Sequence, residues 1–420
     1  MKKVIVIGGG PSGLMASVAA AEHGASVVLV DKGNKLGRKL GISGGGRCNV
    51  TNAKDQDELI KHIPGNGKFL YSAFQHMDNQ GIMRFFEDLG IALKEEDNGR
   101  MFPVSDKAKT VVDALIGKAS SLGVKMMTDS PVAEVLYEEG KVAGVKLASG
   151  KVVPADAVIV ATGGKSVPQT GSTGDGYPWA EAAGHTITEL YPTEVPITSN
   201  EAFITSRELQ GLSLSDVALS VHDAKDKTVI RHEGDMIFTH FGLSGPIALR
   251  CSQFIRKVQK KTGTKNVIMK LDLYPAYPLS KMEQDLKDKL ESEPKKAIKN
   301  ALKGIVQERL IPVVLTKAAL DGETTYHHLP KGSIETLAAV LKGMPIQVNG
   351  TRSLAEAFVT GGGVHLKEIY PKTMESKLMP GLFFCGEILD VHGYTGGYNI
   401  TSAFSTGYTA GKHAAMEDTY

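Results

Sequence analysis

The strongest constraint on this chain is a glycine turn set between a strand and a helix at its start. Lys3–Ile7 is a β-branched run too short for a helix. Gly8-Gly9-Gly10-Pro11-Ser12-Gly13 follows, and Leu14–His23 is an alanine-rich stretch stopped by Gly24. Ala25–Val30 then reads as a second strand closed by Asp31, which completes a β-α-β unit and predicts a parallel sheet. In a turn of this pattern Gly8 permits the tight bend, Gly10 lets the backbone approach a pyrophosphate, and Gly13 lets helix and strand pack closely. The helix start, with Pro11 and Ser12, presents N–H groups and a partial positive charge to the phosphates. Asp31 falls 23 residues after Gly8 and, with Lys32 beside it, is placed to meet a ribose. A carboxylate there accepts hydrogen bonds from ribose hydroxyls and repels a 2′-phosphate, so the site is expected to hold FAD or NAD rather than NADP.

Length and charge bound the rest. At 420 residues and 42% hydrophobic content the chain can bury two or three cores. Its net charge of +2 gives no bias toward nucleic acid or an acidic membrane, and neither is expected as a partner. Cys48, Cys251 and Cys385 form no CxxC, which excludes a local dithiol or a cysteine zinc cluster; no metal site is expected. With a strand beginning almost at once and no apolar run near the roughly 18 residues of a membrane span, a cytoplasmic enzyme is expected. Oligomeric state is left open.

Further along, Ser105 or Asp106 is placed to cap a helix with Val111, Val112, Leu115, Ile116, Ala119 and Leu122 on one face. Pro131–Glu138, Lys141–Ala148 and Lys151–Val160 read as three strands joined by tight turns at Glu139-Gly140 and Ser149-Gly150. From about residue 191 short alternating segments predict a β-rich insertion. Residues 279–343 are helical and charged, with Met282, Leu286 and Leu290 on one stripe and Ile298, Leu302 and Ile305 on another. Eight basic and six acidic residues between Lys281 and Arg309 read as a solvated helix face. The expected division is 1–190 for the first part of a dinucleotide domain, 191–350 for the insert (β-rich to 278, helical 279–343), and 351–420 for the completing part.

Three cues favour FAD. The first is the run GRKLGISGGGRCNVTN at residues 37–52. Ser43, Gly44 and Gly45 permit backbone contact with a large planar ligand, Arg38, Lys39 and Arg47 are cations for phosphates or a substrate anion, and Cys48 and Asn49 adjoin the loop. Cys48 is expected to be buried and inert rather than facing the ring. The second cue is the strand ending Ala161-Thr162-Gly163, which resembles the strand that returns to the flavin in many flavoproteins. The third is the C-terminal run, where a Gly386-Glu387 turn containing Asp390 precedes Gly397 and a helix starting near Tyr398, Asn399 and Ile400. In the glutathione-reductase architecture such a turn reaches the ribityl–phosphate chain, and the next helix aims its positive end at the pyrimidine edge of the flavin. Val132, opening the first of the three strands, completes the expected cofactor-binding set.

GRKLGISGGGRCNVTN, ATGGKSVPQTGSTGDGY, FTHFGLSGP and GEILDVHGYTGGYN together resemble the BaiN-like family of NAD(P)/FAD-dependent oxidoreductases, some of which carry an aminoacetone oxidase label. The resemblance spans nearly the whole chain. It implies an α/β, glutathione-reductase-type, Rossmann-like FAD domain with non-covalent FAD, interrupted by a β-barrel-like insert that carries a helical subdomain. No second GxGxxG follows Gly164, so NAD(P)H as reductant is expected to dock transiently at the flavin. On the substrate side, His392, Tyr394 and Tyr398 of the C-terminal run and His240 of the insert are the candidate proton donors or acceptors. A packed loop residue is the competing reading of each. The expected function is FAD-dependent reduction or oxidation of a small organic substrate. The rivals are a flavin monooxygenase and a non-catalytic FAD-binding redox sensor.

Overall fold

Four of the five residues of β1 (Lys3–Ile7) are buried, as a strand covered on both faces requires. In the computed structural model, which describes residues 1–416, β1 is the centre of a five-stranded sheet. Its parallel neighbours are β2 (Ser26–Val30), in register Ile5 to Val28, and β4 (Ala157–Val160), in register Ile5 to Val158. Beyond β2 lies β3 (Lys125–Met127), and beyond β4 lies β5 (Leu382–Phe384), again parallel. Helix α1 (Pro11–Glu22) follows the glycine turn and is buried from Ser12 through Ala20. It packs on the sheet and along α2 (Tyr398–Ala415), which also lies against β4 and β5, and Lys118 of the helix Ala108–Ser121 reaches its Glu22 at 2.8 Å.

The described chain divides into two compact units. One comprises Met1–Pro192 together with the chain from Leu354 onward, and the other is Thr193–Ser353. In the first, the run expected as one strand over Lys151–Val160 is two. Val152–Pro154 pairs antiparallel with Lys141–Leu147, and Ala157–Val160 joins the parallel sheet as β4. The switch follows Pro154, which lacks an N–H to continue a ladder, and Asp156 anchors the corner by accepting from Lys3 N–H at 2.7 Å. The helix at Ala108–Ser121 has Lys107 at its N-cap and no side-chain cap, unlike the expectation for Ser105 or Asp106. Asp106 instead faces Arg47 and Lys94.

The second unit carries a seven-stranded antiparallel sheet in which Ser213–His222 and Thr228–Phe238 are the long strands. The helices Leu279–Ser292, Ile298–Ala301, Ile311–Lys317 and Ser333–Gly343 bury Met282, Leu286, Leu290, Ile298 and Leu302 in the same core, with Ile305 at its margin. The stretch read as β-rich also holds a long helix, Pro246–Thr262, buried along Ile247, Cys251, Ile255 and Val258. Gly245, at φ +90°, precedes it, while Ser244 pairs in a strand with Ile237. Among the described residues no helix is long and apolar enough to cross a membrane.

Candidate functional site

The glycine turn bends onto β4. A Cβ added at Gly8 would lie 2.5 Å from the Ala161 carbonyl oxygen, and one at Gly13 only 1.8 Å from that of Gly8. Gly10 differs, because a Cβ there would meet nothing within 4 Å. It opens α1 without a capping side chain, so clear space faces an uncapped helix start. Asp31 braces the turn: its carboxylate accepts from Gly9 N–H and Gly33 N–H, each at 2.7 Å. Beside it lies a cleft of about 750 Å³ lined by Lys32, Asn34, Arg38, Pro131 and Gln169 among others. Lys32 pairs there with Asp175 at 2.5 Å, Arg38 donates to Asn34 at 3.0 Å, and half-buried Val132 follows Pro131.

Arg38–Gly46 is a helix broken at Ser43, after which Gly44, Gly45 and Gly46 take φ of 55°, 69° and 86°. These left-handed values suit glycine. Ser43 holds the bend by donating to the Leu40 carbonyl at 2.7 Å and accepting Cys48 N–H on its own carbonyl at 3.0 Å. Added Cβ atoms at Gly45 and Gly46 would meet nothing within 4 Å, so the loop borders open space. Two expected phosphate cations are engaged elsewhere. Arg47 pairs with Glu96 and with Asp106 (2.6 Å) and lies 4.2 Å over the Phe102 ring. Lys39 pairs with Glu387 at 2.6 Å and donates to Ser166 at 3.0 Å. Cys48 is buried at φ +63°, and burial pushes its thiol up to about 12, so it stays protonated and inert.

Two further segments meet this loop. Ala161 continues the β4 ladder by donating to Ile7, and Gly163 turns the chain away at φ +72°. Gly386, at φ +78°, donates to Thr406 at 3.0 Å and sits so close to Ser12 that a Cβ would come within 2.4 Å of its hydroxyl. The Gly-Glu turn therefore abuts the start of α1. Burial works to raise the Glu387 pKa. The Lys39 ammonium, with hydrogen bonds from Thr360 N–H (2.7 Å) and Ser166 (2.9 Å), overcomes it and holds the carboxyl below the usual carboxylate range. Burial raises Asp390 instead.

Buried Asn49 Oδ1 and Thr162 Oγ1 have no hydrogen-bond partner, and a Cβ at Gly397 would approach Asn49 Oδ1 to 3.0 Å. Gly397, at φ +97°, opens α2 without a side-chain cap. Orphaned polar atoms, glycine-lined space and two uncapped helix starts are what a dinucleotide with a planar ring would satisfy.

The loop before α2 carries the expected acid–base groups. His392 is buried, pairs with Gly65 through the backbone, and shares a 3.0 Å hydrogen bond between Nε2 and the Tyr191 hydroxyl. Tyr394 and Tyr398 are 5% and 2% exposed. Asn399 clamps the loop: Oδ1 accepts from Gly393 N–H at 2.7 Å, and Nδ2 donates to the carbonyls of Gly393 (2.9 Å) and Tyr394 (3.2 Å). Ile400 is half-buried on the first turn of α2. One residue of this cluster, His62, carried no sequence signal. Its ring stacks on Tyr398 at 4.8 Å and 14° and meets Tyr394 edge-on at 6.3 Å. His240 lies in the second unit, exposed at a turn and edge-on to Phe241 at 4.9 Å.

Residues 2–413 match the family model described as HI0933-like protein Rossmann domain. The chain is 31% identical over 408 residues to a ribosomal RNA dihydrouridine synthase of Haemophilus influenzae, covering 96% of each. It is 30% identical over 423 residues to a 3-dehydro-bile acid delta(4,6)-reductase of Clostridium scindens, covering 99% of each. Among solved structures it is similar in fold to 3-ketosteroid delta1-dehydrogenase from Sterolibacterium denitrificans, at 13% identity and a TM-score of 0.52, covering 99% of this chain and all of that one. The relative named for ribosomal RNA conflicts in part with the expected absence of a nucleic-acid partner.

Proposed function

Because the chain belongs to the HI0933-like family of FAD-dependent oxidoreductases, we propose that it reduces a carbon–carbon double bond conjugated to a carbonyl group. The observation that carries the cofactor half is the convergence of clear space at Gly10, unpartnered Asn49 and Thr162, and the uncapped start of α2. The bond type is supported by chemistry common to the relatives' names. Making dihydrouridine saturates a ring double bond conjugated to a carbonyl, and a Δ4 bond beside a 3-keto group is an enone. Gly10, Ser12, Gly13 and Asp31 would hold the pyrophosphate and adenosine, with Lys32, Arg38 and Val132 at the adenosine cleft. Ser43–Gly45, Asn49, Thr162 and Asn399 would surround the flavin. When bound, FAD supplies the hydride for the β-carbon of such a substrate, and NAD(P)H docking transiently is the proposed reductant.

The protein's own part is to exclude water and deliver the matching proton to the α-carbon. Tyr394 and Tyr398 hydroxyls are the proposed donors, while His392 holds the loop through Tyr191. Replacing Tyr394 or Tyr398 by Phe should leave FAD content intact and slow turnover by roughly 10²–10⁴-fold for whichever hydroxyl donates. Full activity in both variants would remove the acid role from this loop.

Two substrate sources share this chemistry, a free enone and a uridine in RNA. The helix Pro246–Thr262, with Arg256, Lys257, Lys260 and Lys261 toward its end, supports the second reading. FAD-loaded protein with NADH or NADPH, held anaerobically with 4-androstene-3,17-dione or with ribosomal RNA, tests both. A two-hydrogen mass gain in either identifies the class. Oxygenated product formed only in air would instead mark a monooxygenase.

A further inference from the structure

His62 stands at the end of the short helix Gln56–Lys61, which Asp55 caps by accepting Glu58 N–H at 2.9 Å. Both of its ring nitrogens are held. Nδ1 lies 2.7 Å from the Glu58 carbonyl, an acceptor, so it carries the proton; Nε2 then accepts from the Lys54 ammonium at 3.2 Å. With two fixed hydrogen bonds in its plane the imidazole cannot rotate, and its face is presented to Tyr398 at 4.8 Å, almost parallel. The same residue grips the loop a second way. Its carbonyl accepts Tyr394 N–H at 2.9 Å and would lie 3.2 Å from a Cβ added at Gly393. Asn399 holds Gly393 and Tyr394 from the α2 side. Tyr394 in the loop is thus held between the His62 carbonyl and the Asn399 amide, and Tyr398, at the first position of α2, lies against the fixed imidazole.

We propose that His62, locked by Lys54 and Glu58, is a positioning residue that sets the ring orientation of Tyr398 for proton delivery. The inference rests on the reading of this loop as the proton-donating element. It assigns His62 no contact with substrate; its effect passes through the stacked ring.

The experiment uses the full, FAD-loaded chain as wild type, His62→Ala, His62→Phe, Tyr398→Phe and the His62→Ala/Tyr398→Phe double variant. Fluorine NMR of protein labelled with 3-fluorotyrosine reports the Tyr398 environment, its resonance assigned by loss in Tyr398→Phe. Turnover of 4-androstene-3,17-dione and of ribosomal RNA with NADPH is measured beside it, with FAD content as the control. The Tyr398 resonance should move in His62→Ala and stay near its wild-type position in His62→Phe, which keeps a stacking ring. On whichever substrate turns over, kcat should fall about 10- to 100-fold in His62→Ala with KM little changed, and His62→Phe should recover most of it. In the Tyr398→Phe background His62→Ala should cost nothing further. An unmoved resonance in His62→Ala, or a fully additive loss in the double variant, overturns the proposal. Full turnover in Tyr398→Phe sinks the donor reading instead, a result separable because the resonance still reports the stack.

Discussion

Gly10 and Gly13 occupy one turn, yet a methyl group added to each meets opposite surroundings. At Gly13 it would collide with the Gly8 backbone, whereas at Gly10 it would enter clear space at an allowed φ of −78°. Gly10→Ala should therefore keep or slightly raise the melting temperature while the flavin absorbance of the purified protein is lost. Gly13→Ala should lower the melting temperature in the absence of added FAD. If both variants keep bound flavin, the pyrophosphate does not pass Gly10. The close packing at Gly8 and Gly13 was legible because a strand–turn–helix register places each one. The partners of the cations were not. Arg47 and Lys39 beside a glycine loop resemble phosphate ligands, but their carboxylates come from residues 49, 59 and 348 positions away, distances no local pattern spans. The Lys39–Glu387 pair, with Ser166 bonded to both, ties together three segments of the first unit. Glu387→Gln should destabilise the protein by roughly 1.5–3 kcal/mol, the worth of a hydrogen bond to a charged group, and weaken FAD retention. Urea unfolding with and without added FAD measures both, and an unchanged midpoint would show the pair to be dispensable.

Helices α1 and α2 lie backbone against backbone. Cβ atoms added at Gly407 and Gly411 would come within 2.3 Å of the Ser12 carbonyl oxygen and 2.1 Å of that of Ala16. Glycines four residues apart on α2 thus permit a contact that also fixes the start of α1, where the pyrophosphate is proposed to sit. Gly411→Val should force the helices apart and cost about 1–3 kcal/mol, with FAD affinity falling in step; a melting temperature within error of wild type would refute that packing role. The first β-α-β unit was readable because period and punctuation agreed, although its helix begins at Pro11, three residues before the expected Leu14. Ser244-Gly245-Pro246 reads as a helix cap, and a helix does start at Pro246, with Gly245 rather than Ser244 at its N-cap. Its length to Thr262 is hidden by the short alternating runs around it, although buried Ile247, Cys251 and Ile255 recur at helical spacing. The strand expected at Lys151–Val160 divides between two sheets. Alternation shows that a segment is extended, but not which edge it joins.

For the molecule as a whole, three histidines make stability depend on pH. Burial lowers the pKa of His76, with His413 and Lys412 adding repulsion; it lowers His185 despite Glu368, and it lowers His413. In the unfolded chain each returns to about 6.5. As pH drops through that value the unfolded state takes up protons that the folded state does not. Stability is therefore complete above about pH 6.5 and declines toward the lower folded values. Thermal unfolding from about pH 8 to 5 should show the decline, and His185→Asn should flatten it; a melting temperature that rises on acidification would contradict the assignment. The Gly393–Asn399 loop is marked in the sequence by its glycines and aromatic residues, but His62 is not, since it stands hundreds of residues ahead of the tyrosine on which it stacks. Anaerobic stopped-flow asks whether the reduced flavin of this enzyme passes its electrons to a conjugated double bond. FAD-loaded protein is reduced with one equivalent of dithionite and then mixed with 4-androstene-3,17-dione or with ribosomal RNA. The oxidised flavin absorbance should return without oxygen, matched by saturated product. Flavin that stays reduced with both substrates and reoxidises only when air is admitted would contradict it.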